Sequence, residues 1–201
     1  MSEITTEEEA LAAVRQDGRR LKYVPEKLRT AELCLEAVRQ DGMALEYVPM
    51  NLRTADVCLE AVKAFCLAIL HVPNELKTVE LCLEAVKQDG YMLEYVPENL
   101  KMASPKEFGE LCLEAVKVFG WALLYVPENF KTAEMCLEAV KAFGWAILYV
   151  PENLRTVEVC LEAVKQDELA LKCVPEELRE EVRKRAAGSK VRRDPLLYLR
   201  E

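Results

Sequence analysis

The sequence has one histidine, two tryptophans and seven glycines in 201 residues. A single histidine and the absence of any CxxC pair leave no ligand set that converges on a zinc ion. No Ser/His/Asp set or convergent carboxylate pair is present to carry catalysis. The glycines are scattered along the chain rather than gathered into a phosphate-cradling loop. Basic residues are in deficit, 27 against 35 acidic, giving a formal charge of −8. That balance argues against nucleic acid, whose binding depends on Lys and Arg neutralising phosphates. No apolar run is long enough to cross a bilayer. The opening MSEITTEEEALAAV is acidic, without the basic and apolar segments of a secretory signal. These absences point to a non-enzymatic, soluble, cytoplasmic protein. No cofactor, metal, membrane, nucleic acid or small-molecule substrate is expected.

Cysteine, by contrast, is plentiful, and six of the eight (Cys34, Cys58, Cys82, Cys112, Cys136 and Cys160) share one position of a repeat. Stacked helices lie about 8–10 Å apart, whereas bridged Cα atoms lie below about 7 Å. The column is therefore read as small buried hydrophobes, reduced and away from metal. The repeat itself is TAELCLEAVRQDGMALEYVPMNLR, Thr30 to Arg53. Its valine-proline pairs end at Pro25, Pro49, Pro73, Pro97, Pro127, Pro151 and Pro175, spaced by 24 residues except for six extra between Pro97 and Pro127. A fixed period of this length marks stacked units that bury their apolar faces only against neighbours. The expected fold is an all-α, right-handed α-solenoid of seven long-helix/short-helix repeats over residues 1–178, roughly 60–70 Å long.

Within a unit, Thr30, Thr54, Thr78, Thr132 and Thr156 stand at N-cap positions, and Thr6 with Glu9 forms a capping box. Leu33, Cys34, Leu35, Ala37 and Val38 define a broad apolar face, and Glu32, Glu36 and Arg39 a charged solvent stripe. Gly18, Gly42, Gly90, Gly120 and Gly144 are expected to end the long helix at positive φ. Cys66 and Glu168 take that place in two repeats, where a tighter or strained turn is expected. A short helix such as MALEYV follows and stops at proline. In the insertion, near 102–109, Ser104-Pro105-Lys106-Glu107 should open the fifth long helix early, with Gly109 a point for a kink. EELREEVRKRAA reads as a capping helix over 176–188, followed by a basic linker and apolar tail over 189–201.

Copies of the form LEAVKQDGxxLEYVPENLK resemble a family of short bacterial helical tandem repeats of uncharacterised function, over about residues 6–178. The resemblance implies a repeat fold and no catalytic residues. The long-short helix pairing is also similar to leucine-rich-variant repeats, from which the QDG and YVP elements depart.

Comparing the copies separates core from surface. The positions of Ala44, Leu45 and Val48 stay apolar. Those of Met43, Glu46 and Tyr47 vary, as Arg19, Lys22 and Tyr23 or Tyr91, Glu94 and Tyr95 show, and therefore face water. Repeats three, five and six place Leu67, Leu70 and His71, then Trp121, Leu124 and Tyr125, then Trp145, Leu148 and Tyr149 on that face. Their long helices end in Phe65, Phe119 and Phe143 instead of aspartate. An aromatic patch on neighbouring repeats five and six is the expected working surface, since soluble chains rarely expose one without a partner. Its occupant is a protein partner, with self-association the alternative. Cover by the insertion or by Leu196–Leu199, and a small-molecule pocket, remain as further readings of the same patch.

Overall fold

The computed structural model describes residues 4–188; the linker and tail over 189–201 lie outside them. The chain is an all-α tandem repeat, and the described residues contain no strand. Seven long α-helices recur: α1 (Glu7–Gln16), α2 (Ala31–Gln40), α3 (Ala55–Ala64), α4 (Val79–Gln88), α6 (Pro105–Val118), α7 (Ala133–Ala142) and α8 (Val157–Gln166). Each leads into a six-residue 3-10 helix such as Gly42–Tyr47 or Gly144–Tyr149. A three-residue 3-10 turn such as Met50–Leu52 then returns to the next threonine. In the fourth repeat that turn is replaced by α5 (Glu98–Ala103), and α9 (Glu176–Ala187) follows the last short helix. The chain forms two compact units that divide at Phe108–Gly109.

The threonines act as the sequence indicates. Thr30, Thr54, Thr78, Thr132 and Thr156 each accept the N–H three residues on, and Thr6 and Glu9 close a reciprocal capping box. In α2 the buried face is Leu33, Cys34, Ala37 and Val38, with Leu35 half-buried at its edge. α6 begins at Pro105 and runs through Gly109 as continuous helix, and Phe108 from the insertion is fully buried.

The short helix is 3-10 rather than α because residues three apart must stack on one side. Gly42, Leu45 and Val48 are spaced in this way and all are buried. Asp41 sits in extended conformation between the two helices, and its carboxylate accepts the Met43 N–H at 2.9 Å. The proline after Val48 holds that residue extended and stops the turn.

The expected role of the glycines is corrected by the backbone. None of the described glycines has positive φ. What Gly18, Gly42 and Gly120 provide is room. A Cβ on Gly18 would lie 2.2 Å from the Ala37 carbonyl oxygen of the next repeat, and one on Gly42 would lie 2.2 Å from that of Ala61. Gly120 meets Ala139 in the same way at 2.4 Å. In these three repeats the short helix thus packs backbone to backbone on the end of the next long helix. The strain expected at Cys66 and Glu168 is absent, because their short helices start from the same extended cap conformation as the others.

Two polar devices tie neighbouring repeats. Gln88 donates to the Val62 carbonyl at 2.7 Å, and its Oε1 accepts the Cys66 N–H at 3.0 Å. Gln166 does the same with the Val140 carbonyl and the Gly144 N–H, both at 2.7 Å. Each glutamine therefore staples the open C-terminal end of the preceding long helix. The second device is the basic residue that ends each turn. Arg53 donates to Val48 and Glu46 carbonyls in its own repeat and to that of His71 in the next, at 2.8–3.1 Å. Arg29 repeats the pattern on Val24, Lys22 and Tyr47. Lysine spans the joint with one bond, Lys77 to the Tyr95 carbonyl and Lys131 to that of Tyr149. On the surface, Arg15–Glu36 and Arg39–Glu60 bridge repeats, whereas Lys117 and Lys141 fold back on their own helix.

Candidate functional site

Three repeats depart from the others where the long helix hands over to the short one. Asp17, Asp41, Asp89 and Asp167 cap the following short helix through their carboxylates. Phe65, Phe119 and Phe143 take that place in repeats three, five and six, and those short helices start without a side-chain cap. Losing such a cap costs about 1 kcal/mol. Phe65 and Phe119 are 40% and 37% exposed, so the buried part of each ring offsets the lost cap while an apolar edge is left in water.

In the second unit the aromatic side chains meet across the joint between repeats five and six. The Trp121 ring lies 5.3 Å from Phe143 and 5.4 Å from Tyr149, centroid to centroid. Trp145, one repeat further on, faces Asp167 instead of a phenylalanine, and its indole Nε1 donates to Asp167 Oδ2 at 3.2 Å. The same tryptophan position thus stacks or hydrogen-bonds according to the residue that starts the next short helix. Both tryptophans, Phe143, Tyr125 and Tyr149 are half-buried. Leu124 and Leu148 stand outside the cluster at 49% and 48% exposed, and Leu169 continues the apolar surface at 54%. In sibling repeats the leucine column holds Lys22, Glu46, Glu94 and Lys172.

The remaining sequence-derived residues belong to the first unit. Leu70 is 46% exposed, Leu67 and His71 are half-buried, and the His71 carbonyl accepts from Arg53. The apolar tail invoked as cover, Leu196–Leu199, lies outside the described residues. A groove of about 860 Å³ runs along the first repeat beside Ala12, Ala13, Gln16, Arg20 and Tyr23, away from the aromatic residues of repeat three in the same unit.

The cysteine column is chemically quiet. Burial pushes the thiols of Cys34, Cys58, Cys82, Cys136 and Cys160 up to about 11, with a nearby Arg or Lys opposing the rise only in part. They are protonated at neutral pH and poor nucleophiles. Among the described residues, no group of three or more His, Cys, Asp or Glu is placed to hold a metal ion.

The glutamine staples and arginine forks escaped the reading of the sequence, although a signal was present. Gln16, Gln40, Gln88 and Gln166 always precede an acid, never the phenylalanine. The residue ending the turn is basic in every copy, from Arg29 to Arg179.

A family model described as a domain of unknown function, DUF4116, matches residues 6–53, 55–101, 110–155 and 132–179. Each match spans two repeats, and the insertion falls between the second and third. No curated protein and no solved structure matches the chain.

Proposed function

This chain belongs to the DUF4116 family, matched here in spans of two tandem helical repeats, and we propose that it acts as a non-catalytic protein-interaction scaffold. Its contact surface is the outward side of the short helices of repeats five and six, with Leu124 and Leu148 as the residues a partner covers. The observation that carries this reading is the exposure of two large apolar side chains at positions where the same scaffold accepts lysine or glutamate. Phe119 adds to it, having displaced a capping aspartate while remaining partly in water. The edge of that ring left in water extends the apolar surface a partner can cover. Trp121, Phe143 and Tyr149 serve behind this surface as its support. The reading includes a reducing, cytoplasmic setting in a bacterial cell, in keeping with eight free cysteines.

The test is the double substitution L124E/L148E, which installs the residues of Glu46 and Glu94. Helicity is expected to be unchanged and the unfolding free energy to stay within about 0.5 kcal/mol of wild type, as for surface changes, while proteins captured by the wild-type chain are lost. Equal capture by both chains overturns the reading. A concentration-dependent mass in light scattering that the substitution abolishes assigns the surface to self-association instead.

A further inference from the structure

The joints within the second unit are built differently, and the difference falls at the candidate surface. Between repeats six and seven, Gln166 holds the Val140 and Lys141 carbonyls and the Gly144 N–H, Arg155 reaches the Cys173 carbonyl, and Trp145 donates to Asp167. Between repeats five and six the stapling glutamine is Ala142, the aspartate is Phe143 and the arginine is Lys131, which makes one bond to the Tyr149 carbonyl. The contacts of Trp121 with Phe143 and Tyr149 occupy the place of that network, and the close backbone approach of Gly120 to Ala139 is the pivot about which they can turn. Hydrogen bonds weaken steeply when their angle changes. Aromatic rings stay attractive over centroid distances of about 4.5–7 Å and several orientations.

We propose that the joint between repeats five and six is the compliant point of the second unit, an aromatic bearing across which the two repeats change their relative angle while the next joint stays fixed. The inference goes beyond the binding role proposed above and does not depend on it. Leu124 and Leu148 lie on opposite sides of the bearing, so its angle sets their separation.

The sequence carries its own control. The short helices Gly120–Tyr125 and Gly144–Tyr149 differ only at one Leu/Ile position, so their intrinsic exchange rates are nearly equal. Their local bonds also match: Ala122 to Phe119 at 2.8 Å and Ala146 to Phe143 at 2.9 Å, then Val126 to Leu123 at 3.3 Å and Val150 to Ile147 at 3.2 Å. Native-state hydrogen exchange on the full chain compares the amides of Ala122–Val126 with those of Ala146–Val150. The glycine amides are left out because Gln166 protects Gly144 directly. Exchange is expected to be about tenfold faster in the first segment, as for a locally opening element. The double substitution A142Q/F143D, which copies the stapled joint, is expected to bring the two rates together. Equal or slower exchange at Ala122–Val126 overturns the proposal, as does a folded A142Q/F143D chain with an unchanged rate. If that variant does not fold, the wild-type comparison decides alone.

Discussion

At Gly42 the deciding quantity is a distance, because its φ is one that any residue adopts. An added methyl group would meet the Ala61 oxygen at 2.2 Å and the Phe65 nitrogen at 3.0 Å, both rigid backbone atoms. Gly42→Ala should therefore force the two repeats apart and cost about 3 kcal/mol, at the upper end of overpacking penalties. Gly109 is the opposite case. Its nearest neighbour for a Cβ is Phe130 Cδ1 at 4.0 Å, an ordinary contact, and it sits inside α6. Gly109→Ala should stabilise by about 1 kcal/mol through helix propensity alone. Urea denaturation of the two variants checks both signs. A tolerated Gly42→Ala would mean that the repeats do not touch through their backbones.

For the elements, the strength of a joint depends on what the turn-ending base can reach. Arg53 reaches three carbonyls from one planar fork, at 2.8–3.1 Å, and Arg155 reaches two at 3.0 Å. Lys77 has a single bond at 3.3 Å, and burial lowers its pKa because no carboxylate accompanies it. Lys131→Arg should add a bond to the Val126 carbonyl, the counterpart of Val48, while retaining the one to Tyr149. A charge-assisted bond to a carbonyl is worth about 1.5–3 kcal/mol when fully buried. Part of that goes into ordering the side chain, so a gain of about 1 kcal/mol is expected, seen as a higher urea midpoint at unchanged m-value. Lys77→Arg should behave alike in the first unit. The surface ion pairs Lys117–Glu114 and Lys141–Glu138 should add little, since exposed pairs are worth about 0–1 kcal/mol.

Over the whole molecule, the cysteine column ties stability to pH. Burial holds five thiols at about 11, above the value of 9.0 for a free cysteine. Below pH 9 the thiols are protonated in both folded and unfolded chains, and their contribution is fully present. As pH rises further the unfolded chain ionises first, so stability falls by about 1.4 kcal/mol per pH unit for each thiol until the folded thiols also ionise near 11. The melting temperature should drop steeply between pH 9 and 11. Replacing Cys34, Cys58 and Cys82 by alanine, which already fills this position as buried Ala10, should make the drop shallower. An unchanged slope in the triple variant would show that the column does not set the alkaline limit.

The sequence by itself determined the repeat, its register, the threonine caps, the buried face of each long helix and the early start of α6 at Pro105. All of these follow from local chemistry: a hydroxyl three residues before a free N–H, apolar spacing at the helical period, a proline that stops a turn. It also picked out repeats three, five and six, because seven copies of one unit show which positions the fold leaves free. Only the tertiary structure decided how the units join. That Gly42 is required by the Ala61 oxygen rather than by its own dihedral angles is a fact about two backbones 19 residues apart. Gln88 and Arg53 likewise act on carbonyls of another repeat, which helical periodicity within one copy does not reveal. Trp121 and Trp145 are the clearest instance: equivalent in sequence, one packs on Phe143 and the other donates to Asp167. Their difference lies wholly in the neighbour, and a side chain's neighbour across a joint is set by packing.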